Sequence, residues 1–445
     1  MANGLIQQLS NQFRGKKVLV VGLGLQEGGV GLARFFSELG AKVTVTDIKS
    51  KEELLESIIK LNGLEINYSL GGHKLLDFLE SDVIFKGPSV LWDHEYIVKA
   101  EAKGIPIEME ISFTVSHLKS KIIGITGTRG KTTIVEMIHS LLQKTGKKVY
   151  KAGNLSGIST INLLKDATED DLVVLELSSW SLSGFHKKKI SPNIAVFTNF
   201  YPDHLNYYKN MDDYFYDKKA IFLYQQKSDY LFINNQLIDK IDETEIKGNV
   251  KFYDEQSFKS QLDYLKGEHN KENAAAAYLV GKLFNLSDKQ IYDELKSFKP
   301  VKYRQEIVKI TDGITIVNDS TSTTPTSTIK AIETFTDKPI ILILGGHSKH
   351  LPFNRLIGKL SEVEYIVLIK GSFTEEVLAD LKSRFFNKIS TVFDSLEKAV
   401  EFAHNFANQL NKESYILFSP GATSFAMFKN EFDRGDKFNE YVKGL

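Results

Sequence analysis

A lysine and two threonines, Lys131-Thr132-Thr133, stand directly behind a turn with Gly127 and Gly130 at its corners. Glycine lets a backbone curl until its N–H groups point inward, and such a concave ring binds an anion. A lysine behind the ring can reach the outer phosphates of a nucleotide, and a following threonine hydroxyl can hold Mg²⁺. The stretch Gly124-Ile-Thr-Gly-Thr-Arg-Gly-Lys-Thr-Thr133 therefore has the chemistry of a phosphate-binding loop. The strict pattern Gly-x4-Gly-Lys-Ser/Thr is not met, because Ile125 occupies its first glycine position. Only the shorter core from Gly127 to Thr132 is present. A glycine-rich strand-to-helix turn with no ligand is the plain alternative. Gly, Lys and Thr occurring together argue against it.

Other candidates follow the same logic of a polar group at the end of an apolar run. Glu176 closes the run Leu172-Val-Val-Leu175, where a carboxylate can hold Mg²⁺ or simply cap a turn. His204 follows a Pro-Asp turn after Asn193-Ile-Ala-Val-Phe-Thr198 and suits either a metal ligand or a structural contact. Lys218 has Tyr214, Phe215, Ile221 and Phe222 at helical spacing, which places an ammonium on an apolar face. Lys219 has similar neighbours, and periodicity does not separate the two. Burial lowers a lysine's pKa and makes it reactive, for example toward CO₂. Asn270 and Asn273 open an alanine-rich helix, where an amide can read a base edge or cap the helix. Arg304 sits in a linker-like segment, Val301–Glu306, and is available to an anion. Asp319, Thr323, Lys349 and Ser424 all fall just after apolar runs, and each alone reads as an ordinary loop residue.

These groups need strands to deliver them. Lys17-Val-Leu-Val-Val21, a glycine turn from Gly22 to Gly31, a helix near 32–39 and Lys42-Val-Thr-Val-Thr46 form a βαβ unit ending at Asp47. An acidic residue there suggests a nucleotide ribose or base site. The dinucleotide fingerprint Gly-x-Gly-x-x-Gly is one residue too long between Gly24 and Gly28, which speaks against a nicotinamide cofactor. Strands alternate with helices throughout, which predicts an α/β protein of open, mainly parallel sheets with ligands at their carboxyl edges. Three domains are expected, at 1–118, 119–300 and 301–445, Rossmann-like in the first and third and P-loop ATPase-like in the centre.

Composition narrows the function. The 445 residues carry 56 Lys+Arg against 56 Asp+Glu, so no global charge draws the chain to nucleic acid or membrane. Cysteine is absent, which excludes disulfides, thiolate metal sites and a cysteine nucleophile. No apolar run approaches a membrane span, and the first residues lack a signal-peptide layout, so a cytoplasmic protein is expected.

The motifs occur in one order. They are Gly127-Thr-Arg-Gly-Lys-Thr-Thr133, Glu176-Leu-Ser-Ser179, Thr198-Asn-Phe-Tyr-Pro-Asp-His204, Lys218-Lys-Ala-Ile-Phe222, His269-Asn-Lys-Glu-Asn273, Tyr303-Arg304, Asn318-Asp-Ser320, Gly345-Gly-His-Ser-Lys349 and Ser419-Pro-Gly-Ala-Thr-Ser424. Together they resemble the Mur ligases over essentially the whole chain. The resemblance implies ATP-dependent amide formation through an acyl phosphate, with two Mg²⁺ sites. It implies UDP-N-acetylmuramoyl-L-alanine and D-glutamate as partners and a monomeric enzyme. It assigns Gly127, Thr128, Gly130, Lys131, Thr132 and Thr133 to ATP phosphates, Asn273 to adenine, and Arg304 and Asp319 to ATP phosphate and ribose. Thr132 and Glu176 would hold one Mg²⁺, and His204 with a carbamylated Lys218 another. By the same resemblance Lys131, His204 and Lys218 would carry the catalytic roles. Gly24, Leu25, Asp47, Lys49 and Asn154 would contact the UDP-linked substrate, and Thr323, Lys349 and Ser424 the glutamate.

The chain also departs from the family's usual pattern. The first glycine loop is two residues longer, and Lys86-Gly-Pro-Ser-Val90 replaces a Ser-Pro-Gly order. Tyr303, Thr321 and Glu431 stand where histidine, lysine and phenylalanine are frequent. Three other readings remain at this point. One is a sister ligase or a folylpolyglutamate-type ligase taking another amino acid. Another is a non-catalytic nucleotide-binding scaffold, and the third is an NAD-linked oxidoreductase.

Overall fold

The computed structural model describes residues 2–24, 27–155, 157–205, 207–424 and 427–445. Three sheets account for the strands among them. The first contains β1 (Lys17–Val21), β2 (Lys42–Asp47), β3 (Ile66–Leu70), β4 (Val83–Lys86) and β5 (Ile107–Glu108), all parallel, in the order β3-β2-β1-β4-β5. The second contains β6 (Lys121–Thr126), β7 (Val149–Gly153), β8 (Leu172–Glu176), β9 (Ile194–Phe197), β10 (Tyr230–Asn234) and β11 (Asn249–Tyr253). Its order is β11-β10-β9-β6-β8-β7, again wholly parallel. The third contains β12 (Glu306–Thr311), β13 (Ile314–Asn318), β14 (Ile340–Gly345), β15 (Tyr365–Ile369), β16 (Ile389–Phe393) and β17 (Ser414–Phe418), in the order β12-β13-β17-β14-β15-β16. Only its edge strand β12 runs antiparallel, joined to β13 by Asp312-Gly313. Both of those residues have positive φ, 49° and 80°, as a tight hairpin turn requires. The α/β class expected from the alternating pattern is thus the class observed.

The chain divides into two compact units. One comprises Met1–Phe200, Tyr214–Ser257 and Ala274–Ile291 and holds the first two sheets; the other comprises Tyr201–Asp213, Phe258–Asn273 and Tyr292–Leu445 and holds the third. Central strands are buried on both faces, which explains why they read as unbroken aliphatic runs rather than alternating ones. All five residues of β8, all five of β13 and all six of β14 are buried. Each large aliphatic side chain so buried stabilises the fold by about 1.5–3 kcal/mol. This rigid packing fixes the carboxyl ends of the strands, where Asp47, Glu176, Asp319 and the glycine turn after β6 lie; Lys218 and Asn273 lie on helices.

In the second sheet, β6 connects onward to β7 on one side, while its neighbour β9 connects onward to β10 on the other. Such a reversal of direction opens a crevice between the two strands' carboxyl ends, the usual ligand position in an open α/β sheet. The loop after β6 is the glycine turn. In the third sheet the candidate groups Asp319, Thr323, Lys349 and Ser424 follow the ends of the adjacent strands β13, β14 and β17.

Candidate active site

The glycine turn passes from β6 into the helix Lys131–Gln143 through Gly130, which has φ 83° and precedes the first helical residue. Gly127 has φ 145°, and a Cβ there would lie 1.9 Å from Thr198 Oγ1. No side chain fits that position, so glycine is required by both backbone and packing. The loop after β9 holds the turn. Asn199 accepts from Thr128 N–H through its carbonyl at 3.0 Å and from Arg129 N–H through Oδ1 at 2.8 Å. Thr198 Oγ1 donates to Arg129 O at 2.6 Å. Motif reading quoted Thr198 and Asn199 but gave them no role; their signal was a polar pair directly after a buried strand.

Lys131 folds over the turn, its Nζ donating to Gly127 O at 3.0 Å and Thr128 O at 3.1 Å. Thr132 Oγ1 donates to Glu176 Oε2 at 2.6 Å. The paired strands β6 and β8 bring these residues together, since Ile125 lies beside Glu176 in the register. Asn154, just past β7, donates from its backbone to Glu176 O at 2.8 Å and from Nδ2 to Glu176 Oε1 at 3.5 Å. A hydroxyl and a carboxylate converging at this glycine turn are hard oxygen donors, the kind Mg²⁺ takes, so these residues fit that ion. Thr128 is buried with Oγ1 3.3 Å from Tyr214 OH, and Thr133 is buried in the first helical turn.

The structure separates the two lysines that periodicity could not. Lys218 is 1% exposed, donates to Gly127 O at 2.9 Å and lies over the Tyr214 ring at 4.8 Å. Lys219 instead ion-pairs with Glu245, Nζ to Oε1 2.6 Å. As an ammonium Lys218 does not fit a cation site; only as a carbamate would it supply oxygen donors.

In the first unit, Asp47 ends β2, and its carboxylate accepts from Gly24 N–H at 3.1 Å and Lys49 N–H at 3.0 Å. Leu25, expected beside them, lies outside the described residues. A cavity of about 70 Å³ opens at the carboxyl ends of β1 and β4, lined by Gly22, Gly28, Gly29, Lys86, Gly87 and Glu110 among others. Lys86 is buried, donates to Val90 O at 2.7 Å and stacks over Trp92 at 4.3 Å. Burial pulls its ammonium down to about 7, opposed by Asp217 and aided by Lys187.

In the second unit, His204 adopts φ 55°, and its backbone N–H donates to Asp203 Oδ1 at 2.9 Å. Lys349, after β14, reaches both Asp203 Oδ1 and Thr323 Oγ1 at 3.3 Å. Asn273 donates to Asn270 Oδ1 at 3.2 Å, and Asn270 Nδ2 donates to Lys266 O at 2.7 Å. The helix begins at Glu268, so Asn270 lies inside its first turn. Asp319 follows β13 and accepts from Ser322 Oγ at 2.5 Å, Ser419 Oγ at 2.8 Å and Gln305 N–H at 3.2 Å. Burial outweighs those hydrogen bonds and the nearby Arg304, holding the Asp319 carboxyl up at about 6. Ser424 is 3% exposed, and its Oγ has no hydrogen-bond partner among the described residues. Arg434, a fully buried residue that motif reading passed over, spans Ser320 and Ala422.

Family profiles match three successive stretches of the chain. The profile of the Mur ligase MurD-like N-terminal domain covers residues 16–108, that of the Mur ligase middle domain 125–262, and that of the Mur ligase glutamate ligase domain 303–420. The chain belongs to the Mur ligase family. Among its relatives, the UDP-N-acetylmuramoylalanine–D-glutamate ligase of Roseiflexus sp. (strain RS-1) is 34% identical, covering 98% of this chain and 100% of the relative. The ligase of the same name from Clostridium perfringens is 33% identical, over 97% of this chain and 98% of its own. Solved Mur ligase structures share the fold at lower identity. UDP-N-acetylmuramate-alanine ligase MurC from Thermotoga maritima superposes with TM-score 0.62 at 18% identity, covering 96% of this chain and 99% of that one. MurF ligase from Thermotoga maritima, solved in complex with ADP, gives 0.59 at 18% identity, covering 98% and 97%.

Proposed function

We propose that this Mur ligase joins D-glutamate to UDP-N-acetylmuramoyl-L-alanine with ATP, in peptidoglycan precursor synthesis. The observation that carries the reading is full-length similarity to ligases of that name, at 33–34% identity. The convergence of Lys131, Thr132 and Glu176 around the phosphate turn supports the ATP half of the reaction. The substrate carboxylate attacks the γ-phosphate, ADP leaves, and an acyl phosphate results. The glutamate amine then attacks the acyl carbon, and phosphate leaves from the tetrahedral intermediate.

The turn's N–H groups and Lys131 would neutralise phosphate charge as it moves, and positioning with charge neutralisation supplies most of the acceleration. Thr132 and Glu176 would hold one Mg²⁺, and His204 with carbamylated Lys218 a second; the ions would offset charge on the transferring phosphoryl group. Asn273 would read adenine, and Arg304 and Asp319 would take ATP phosphate and ribose. Gly24, Leu25, Asp47, Lys49 and Asn154 would take the UDP-linked substrate. Thr323, Lys349 and Ser424 would take glutamate, whose carboxylates suit a lysine flanked by hydroxyls.

The same reading retains domains at 1–118, 119–300 and 301–445 for the UDP-linked substrate, ATP and the amino acid, supported by one sheet in each range. It also retains a cytoplasmic monomer. No helix among the described residues is long and apolar enough to cross a membrane. The test is phosphate release from ATP with UDP-N-acetylmuramoyl-L-alanine and a panel of amino acids. D-Glutamate should support turnover; release with another amino acid and none with D-glutamate would overturn the assignment.

A further inference from the structure

Arg434 lies on the helix Glu431–Lys443, and its side chain is wholly buried. It shares one helix face with Phe438 and Val442, both buried in the core of the third sheet. A guanidinium at such a depth is unusual unless its donors are met. Here Nε donates to Ser320 Oγ at 3.1 Å, Nη2 to Ser320 O at 2.6 Å and Nη1 to Ala422 O at 3.1 Å. Ser320 follows β13, and Ala422 follows β17. The loop after β14 passes close by and leaves no room for a side chain, since a Cβ built on Gly346 would come within 3.4 Å of Nη1. One side chain thus bonds the loops after two adjacent strands and lies beside the loop after a third. Those loops carry Asp319, Thr323, Lys349 and Ser424.

The acceptors are all neutral oxygens, so the fork is used for geometry rather than for pairing with a carboxylate. Burial lowers the guanidinium only to about 10, which leaves it charged at neutral pH. Arg434, Ser424, Thr423, Gly346 and Lys370 line one small cavity, and the Ser424 hydroxyl there is buried with no hydrogen-bond partner among the described residues. The position of that hydroxyl depends on the backbone that Arg434 holds at Ala422, two residues before it.

We propose that Arg434 is a positioning residue for the amino-acid subsite: its planar fork pins the loops after β13 and β17 so that Thr323 and Ser424 meet the incoming amino acid in one fixed spacing. The proposal rests on the ligase reading above. Lysine cannot replace the fork, because a single ammonium cannot reach Ser320 O, Ser320 Oγ and Ala422 O in one plane.

Wild-type ligation with D-glutamate tests the ligase reading; the variants test Arg434. In Arg434→Lys, KM for D-glutamate should rise roughly tenfold or more, while KM for the UDP-linked substrate and kcat at saturating glutamate stay within about threefold. Ser320→Ala removes only one acceptor of the fork and should raise the same KM by about threefold; it decides the matter if Arg434→Lys does not fold. A merely structural role would move all three parameters together, and that result overturns the proposal. So does an unchanged KM for glutamate in a folded variant. Amide hydrogen exchange on the apo protein gives a readout that needs no activity. Exchange in Arg434→Lys should quicken together in 319–324 and 419–424 and remain unchanged in 121–133. Wild-type rates in both loops would refute the pinning.

Discussion

Replacing Lys218 and Lys219 separately by alanine gives two sharply different outcomes if Lys218 acts as a carbamate. Lys219 pairs with Glu245 at a partly exposed position, and a pair of that kind contributes at most about 1 kcal/mol. Lys219→Ala should therefore keep kcat within roughly threefold of wild type, about 0.6 kcal/mol. Lys218 is different. Its hydrogen bond to Gly127 O is worth about 1.5–3 kcal/mol as a charged contact, and its seat over Tyr214 up to about 2 kcal/mol. Against these stands the cost of burying an ammonium, several kcal/mol. The terms nearly cancel, so Lys218→Ala should fold with stability within about 2 kcal/mol of wild type. Gly127 O is not orphaned, because Lys131 still donates to it at 3.0 Å. Activity should nonetheless fall at least about a thousandfold, near 4 kcal/mol of transition-state stabilisation, since an anionic metal ligand is lost. Acetate or another short carboxylate should restore part of that rate. The assays are intact mass or density for CO₂ on Lys218, steady-state phosphate release, and thermal melts of both variants. An active Lys218→Ala beside a dead Lys219→Ala would show the wrong lysine was chosen, and two active variants would remove the carbamate from the reaction.

Lys131→Ala should lower ADP release by several kcal/mol of barrier, on the order of a hundredfold or more, with the fold intact; near-normal release would refute its role at the phosphates. Thr132→Ala and Glu176→Gln should each raise the Mg²⁺ concentration giving half-maximal rate, and titration of phosphate release against Mg²⁺ checks this, with an unchanged midpoint counting against the pair. Asp319 titrates near 6 in the fold against 3.8 for its ordinary value. Its proton therefore stabilises the fold most below about pH 3.8, and on the order of 3 kcal/mol is lost as pH rises through about 6. Relative to Asp319→Asn, wild type should lose melting temperature between pH 4 and pH 7; a constant difference would show that the carboxyl is not held protonated.

The glycine turn between β6 and its helix was legible because its parts are contiguous: Gly127, Gly130, Lys131 and Thr132 lie within six residues, and the apolar run before them has to be a buried strand. The α/β class was legible from strand and helix alternation for the same local reason. Periodicity left Lys218 and Lys219 open, since both have aromatic neighbours one turn away; the family resemblance picked Lys218, and tertiary partners set the two apart, Gly127 for one and Glu245 for the other. Arg434 left a trace that went unread: an arginine four and eight residues before Phe438 and Val442, on the apolar stripe of its helix. The hairpin of β12 and β13 left another. Asp312-Gly313 between two apolar runs is a turn signal, yet Val301–Glu306 read only as a linker and the strand after it went unnoticed.

That edge strand has a consequence for insertions and deletions. Because β12 runs against its neighbours, its first residue, Glu306, lies beside Asn318, the last of β13. The chain therefore enters the sheet at the rim where Asp319 and Ser419 converge, with Gln305 already bonded to Asp319. A parallel edge strand would have delivered the same segment to the opposite rim, roughly 17 Å away. Changes of length are thus unequal at the two ends of one strand. An added residue at Asp312-Gly313 would alter a hairpin turn far from the chemistry. An added residue between Tyr303 and Glu306 would move Arg304 and break the Gln305 contact at once. Length variation in natural or engineered relatives of this chain should accumulate at the first end and be absent from the second.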